Sequence, residues 1–162
     1  MRRSKLNVPV HFVWATWDRL PLVTEAIERP LYRYIKTVCR DDECDVLAIG
    51  GMPDHVHLLV LLSNTITLGQ LMHDVKGGSS RFLSRQVLSG DWFAWQRGYG
   101  AFGVSPQDKQ RVIRYILNQK RHHTDGTVWP EAEEIYEELP PPEPHSPTSA
   151  VSAQADTRPK AP

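Results

Sequence analysis

The sequence predicts an α+β fold in which an antiparallel sheet carries helices on one face. Three observations predict it. Short segments rich in β-branched and aromatic residues are bounded by turn residues. Between them lie segments whose apolar residues recur at helical spacing. The order of the two kinds of segment is β-α-β-β-α-β, followed by one more helix.

Residues 8–17 (VPVHFVWATW) read as the first strand, and residues 18–23 as a loop. Over residues 24–41, Leu31, Tyr34, Ile35 and Val38 fall at helical spacing, with Pro30 expected at a first turn or a break. Residues 45–51 (DVLAIGG) form a second strand, Met52-Pro53-Asp54 a tight turn, and residues 55–62 (HVHLLVLL) a third strand. The apolar second half of that strand predicts burial on both faces. Thr67 caps a second helix, in which Leu68, Leu71, Met72 and Val75 repeat at i, i+3, i+4 and i+7. Gly77 and Gly78 weaken this helix, and Phe82 and Leu83 extend it. A fourth strand is expected within residues 92–104. Ser105 and Pro106 supply the cap and first position of a last helix that runs to about His122. The first six elements match the ferredoxin-like pattern, which leaves the seventh to cross a sheet edge or the open face.

The 162 residues suit one domain with a real core. That domain is expected over residues 1–139. Residues 140–162 are rich in Pro, Ser and Ala, with few apolar anchors, and are expected to be a disordered acidic tail. No apolar run is long enough to span a bilayer, and the basic start MRRSKLNVPV leads into no secretory h-region, so a cytoplasmic protein with no membrane contact is expected. Cys39 and Cys44 are the only cysteines and read as reduced thiols. The net charge is zero, but it is unevenly spread. From Glu131 onward there are seven acidic and two basic residues, which leaves 17 basic and 12 acidic ones in residues 1–129. A basic body of this kind permits binding to a polyanion.

Two clusters can carry chemistry. In the strand starting His55-Val56-His57, alternation sends both histidines to one side, about 7 Å apart along the chain. Two imidazoles so placed can share a metal, although a polar strand start on a solvated face gives the same pattern. In the last helix (SPQDKQRVIRYILNQKRHH), Val112, Ile113, Ile116 and Leu117 are expected on the core side. Tyr115, Gln119 and His122 share another side, facing away from the core. A tyrosine hydroxyl is a weak nucleophile near neutral pH and needs a polarised electrophile. A divalent cation on His55 and His57, with the Gln119 amide oxygen as a third ligand, can polarise a phosphodiester in front of Tyr115. Attack then gives a phosphotyrosine linkage that a second strand end can reseal. Lys76, Arg81, Arg85, Arg111, Arg114, Lys120 and Arg121 suit phosphate contacts, and His122 can join them; each alone also fits a solvated helix face. Trp95 and Tyr99 are the aromatic residues best placed to stack on unpaired bases.

These blocks resemble a known family. PDHVHLLV resembles the HUH motif of tyrosine nucleases, and FAWQRGYGAFGVS followed by VIRYILNQKRHH resembles the matching blocks of IS200-like transposases, closest to the REP-associated tyrosine transposases. VWATWDR is similar to the end of the family's first strand. The resemblance spans roughly residues 8–139 and departs at Gly103, where a serine is frequent. It implies Tyr115 as the nucleophile, with His55, His57 and Gln119 as ligands of Mg2+ or Mn2+. It also implies DNA contacts from Lys76 and Ser80. The implied substrate is single-stranded DNA bearing a hairpin, cleaved to a 5′-phosphotyrosine and a free 3′-hydroxyl, with no small-molecule substrate. A homodimer is implied for classical members, and some REP-associated members act as monomers. Two other readings remain: a hairpin-binding or single-strand-binding protein without catalysis, and a metal-dependent hydrolase, for which Asp54 is the only acid beside the HVH run.

Overall fold

The computed structural model describes residues 6–89, 91–133 and 135. The expected tail, residues 140–162, lies outside the described residues. The strands are β1 (Pro9–Ala15), β2 (Asp45–Met52), β3 (His55–Leu61) and β4 (Gly100–Gly103). They form one antiparallel sheet in the order β2-β3-β1-β4, so the two strands that start the βαβ halves lie side by side in the middle. Helices α1 (Glu25–Asp41) and α2 (Leu68–Phe82) cover one face. A helical pair, α3 (Lys109–Leu117) and α4 (Gln119–Asp125), lies on the other face, which settles where the seventh element goes. No helix among the described residues is long and apolar enough to cross a membrane.

Alternation along β1 and β3 makes two cores. Phe12, Trp14, Val56, Leu58 and Val60 point toward α1 and α2 and pack with Ile27, Leu31, Ile35, Leu71, Met72 and Val75. Leu59 points the other way and packs with Ala48, Val112, Tyr115 and Ile116. The two faces are thus filled by one strand, as its continuous apolar run requires. Gly78 permits the close crossing of α1 and α2, because a Cβ there would stand 2.8 Å from the Tyr34 hydroxyl. That packing carries α2 through its two glycines to Phe82, after which a π-helical turn, Leu83–Val87, ends it. Thr67 caps the helix as expected, accepting the Gln70 N–H at 3.1 Å. Cys39 and Cys44 are buried and unlinked.

Four expectations need correction. Pro30 lies inside α1 rather than at its start or at a break; the helix runs on through it. The last helix starts at Lys109 with Asp108 as its cap, not at Pro106 after a Ser105 cap. The fourth strand lies within the expected segment, as Gly100–Gly103. Residues 91–99 are tied down instead by a single bridge between Thr16 and Trp95, by Trp17 N–H to Ala94 O, and by Lys76, whose Nζ donates to the carbonyls of Gln96, Arg97 and Gly98 at 2.7–2.8 Å. The last helix breaks at Asn118, whose side-chain Nδ2 donates to the Arg114 carbonyl at 2.8 Å. Its apolar side is also rotated from the expected one. Val112, Tyr115, Ile116 and Gln119 face the sheet, while Leu117 is 63% exposed.

Candidate active site

The site lies on the sheet face that α3 covers, at the start of β3. His55 and His57 stand opposite Ala15 and Val13 of β1 and are almost fully buried. Gly50 on β2 lets α3 approach the sheet, because any Cβ there would collide with the Ile116 carbonyl. That approach delivers Tyr115 to the histidines, with its ring centroid 5.9 Å from that of His57. Gln119, one turn on and 2% exposed, enters the same interior. Gly126 then ends α4 in a left-handed conformation (φ +66°), and its N–H returns to the His122 carbonyl. Residues 127–133 run back over the site and bring in Glu133.

Glu133 is the residue on which the site converges. It accepts a hydrogen bond from the Tyr115 hydroxyl. Its carboxylate lies 3.2 Å from His55 Nε2 and 3.3 Å from His57 Nε2, and neither nitrogen completes a hydrogen bond. One ligand atom each of His55, His57 and Glu133 fit within 4.8 Å of one another. Both polar atoms of the Gln119 amide and His123 Nε2 are likewise buried without a hydrogen-bond partner among the described residues. Buried polar atoms are rarely left so, and a group of imidazole and oxygen donors orphaned together fits a cation.

The remaining nitrogens are held from behind. His55 Nδ1 meets Asp54 Oδ1 at 2.8 Å, and Asp54 is paired in turn with Arg19 at 3.2 Å. Thr16 Oγ1 donates to the carbonyls of Leu20 and Asp54, so the WATWDR block fixes the turn that orients His55. His57 Nδ1 meets His11 Nε2 at 2.9 Å.

These contacts set the charges. Burial works against a charged His55, but the carboxylates of Asp54 and Glu133 outweigh it and raise its pKa to about 9. The His55 contact, helped by Arg19, holds Asp54 down at about 2 despite its partial burial. Burial lowers His57, and burial together with His57 lowers His11 to about 3, so both rings are neutral. Burial and then Glu133 push Tyr115 up to about 12, opposed by the nearby Gln119 amide. Burial disfavours the Glu133 carboxylate, yet the two histidines hold it well below the ordinary carboxylate range.

The structure therefore brings together four of the residues singled out from sequence: His55, His57, Tyr115 and Gln119. His122 lies beside them, its ring 4.9 Å from that of Tyr115 and its Nδ1 2.9 Å from Thr127 Oγ1. Arg81 and Arg114 are exposed, as is Arg111, whose guanidinium sits 4.2 Å from the centre of the Trp129 ring. Lys76, Ser80 and Trp95 make hydrogen bonds within the fold. Lys76 holds the 96–98 carbonyls, Ser80 donates to the Phe93 carbonyl at 3.0 Å, and Trp95 is buried, donating to Ser79 Oγ at 2.9 Å. Tyr99 is half-buried against Phe12. Sequence reasoning missed Glu133, His11 and the role of Asp54. A histidine in the middle of the apolar run VPVHFVW and an acid directly before HVH were signals for the last two. Glu133 stands in a run of acids and gave none.

The profile of the family described as "Transposase IS200 like" matches residues 4–119 of the chain. The ISDra2 transposase TnpA of Deinococcus radiodurans is 23% identical over 114 residues, which are 67% of this chain and 81% of that protein. Two solved structures share the fold. One is a protein of Deinococcus radiodurans R1 assigned as a transposase, with TM-score 0.58, 22% identity and coverage of 74% of this chain and 96% of that one. The other is a REP-associated tyrosine transposase bound to a REP hairpin, with TM-score 0.57, 18% identity and coverage of 80% and 78%. With a family match over most of its length, and with the expected histidines and tyrosine gathered in one buried site, the chain belongs to the IS200-like transposase family.

Proposed function

We propose that the protein cleaves and rejoins single-stranded DNA with hairpin ends by transesterification at Tyr115. The observation that carries this reading is the meeting of the Tyr115 hydroxyl and the two histidine Nε2 atoms at one carboxylate, that of Glu133. A nucleophile and a pair of potential metal ligands rarely share a buried point without a joint task. In the reaction the Tyr115 oxygen bonds to phosphorus and the phosphorus–O3′ bond breaks. The departing O3′ takes a proton from solvent, and the Tyr115 proton passes toward the Glu133 carboxylate that already accepts it. The product is a 5′-phosphotyrosine, and attack by another 3′-hydroxyl reverses the step.

His55 and His57 would hold Mg2+ or Mn2+, with oxygen ligands from Gln119 and Glu133. Bound there, the cation would act as a Lewis acid that draws charge from the phosphate. Arg81, Arg111 and Arg114 would neutralise the DNA backbone, and Tyr99 would offer a partly open ring for stacking. Hairpin ends are taken as the partner by analogy with the relative solved on a REP hairpin. The dimeric assembly and the cytoplasmic setting expected from sequence are carried forward as part of this proposal, the first to be checked by sedimentation.

The test is to incubate the full chain and Mn2+ with hairpin-bearing single-stranded DNA and to examine both new ends. A 3′ end that a polymerase extends, together with a 5′ end blocked by protein, is expected. Two free ends would instead mean hydrolysis. A second reading, a hairpin-binding protein without catalysis, has one observation in its favour: Tyr115 is tied to Glu133 and its pKa is pushed up to about 12. Hairpin binding with no new ends would favour that reading.

A further inference from the structure

We propose that His11 is a positioning residue for His57, its Nε2 accepting the His57 Nδ1 proton and so keeping the His57 Nε2 lone pair turned into the site. The inference rests on the reading of His57 as a metal ligand. An imidazole that binds a cation through one nitrogen must carry its proton on the other, and that proton needs an acceptor. For His55 the acceptor is Asp54, 2.8 Å from Nδ1. For His57 the only polar atom at hydrogen-bond distance from Nδ1 among the described residues is His11 Nε2, at 2.9 Å.

The two rings lie nearly coplanar and meet edge to edge, with centroids 5.1 Å apart and 16° between their planes, and both are almost fully buried. The position is also contested. Glu133 lies 3.3 Å from His57 Nε2 and favours a proton on that nitrogen, which would remove the lone pair a cation needs. An acceptor on the far side of the ring favours the opposite tautomer. The difference between the two supports has a chemical consequence. A carboxylate draws His55 toward the imidazolium form, whereas a neutral imidazole orients His57 without adding charge to the sheet interior. A histidine in the centre of an otherwise apolar strand is costly unless it is hydrogen-bonded, and this contact is what satisfies it.

The test is calorimetric titration of the full-length protein with Mn2+, comparing wild type, His11→Leu and His11→Gln, with thermal melting to report the fold. His11→Leu is expected to weaken Mn2+ binding about 10–100-fold. His11→Gln, whose amide oxygen reaches the place of Nε2, is expected to stay near wild type. Equal affinity for wild type and a folded His11→Leu would overturn the inference alone, while no Mn2+ uptake by wild type would overturn the metal reading and the inference with it. Should His11→Leu fail to fold, nitrogen NMR of Mg2+-loaded wild type decides. A proton on His57 Nδ1, with coupling across the hydrogen bond to His11 Nε2, supports the inference, and a proton on His11 Nε2 overturns it.

Discussion

Replacing Gly50 by alanine should damage the site from the opposite side of a helix. Gly50 lies on β2 beneath α3, where an added Cβ would overlap the Ile116 carbonyl oxygen and stand 3.2 Å from its carbon. The obstacle is backbone, so no side chain can swing away. Restoring an ordinary contact requires α3 to recede on the order of 1 Å. Overpacking of this kind costs about 1–3 kcal/mol, so the melting temperature should fall by several degrees. The neighbours of Ile116 on α3 and α4 include Tyr115 and Gln119, and a displacement of that size should cost about 100-fold in adduct formation. The assay pairs thermal melting with the yield of protein–DNA adduct, using Gly69→Ala as a control because nothing lies within 4 Å of a Cβ at Gly69. Unchanged melting and unchanged adduct in Gly50→Ala would refute the close approach. Lower melting with full adduct yield would refute the claim that this contact places Tyr115.

Three further outcomes follow from the geometry. In the metal-free chain the folded pKa of His55 is raised from 6.5 to about 9, so its stabilising contribution is fully present below pH 6.5 and is lost as pH rises through about 9. Melting temperature should fall across that window, and His55→Gln should flatten the fall; an equal slope in the variant would assign it to another group. Ser79→Ala strands the buried Trp95 indole N–H and should cost about 1–3 kcal/mol in denaturant unfolding while leaving DNA adducts intact at saturating DNA. Gly126→Ala must hold φ near +66° with a Cβ, which costs roughly 1–2 kcal/mol and should loosen the 127–133 segment, read as faster amide exchange at Trp129.

The sheet was legible in the sequence because each strand states its own burial. HVHLLVLL carries a histidine pair and then an apolar run, which places both histidines on one side of β3 before any contact is known. The helical periodicities of α1 and α2 located their buried faces for the same reason. The last helix was harder to orient. Tyr115 and Leu117 are both large, and the helix meets the sheet at Gly50 with the tyrosine turned in and the leucine out. The 92–104 segment holds its strand at Gly100–Gly103, while the aromatic stretch before it, despite its high β-propensity, is held by Lys76 and Ser80 through side-chain bonds that no local pattern announces. The same holds for the two residues that complete the site. Glu133 reaches it only through the turn at Gly126, and His11 only through the pairing of β1 with β3.

The central claim is that Tyr115 is the atom donor of the covalent bond to DNA. The measurement that tests it most directly is mass spectrometry of peptides from the protein after reaction with hairpin-bearing single-stranded DNA and Mn2+, followed by nuclease trimming. The expected result is a nucleotide mass on the peptide containing Tyr115, lost in Tyr115→Phe and in His57→Ala. A nucleotide carried by Tyr99, Tyr32 or any other residue, or an adduct that survives Tyr115→Phe, would contradict it.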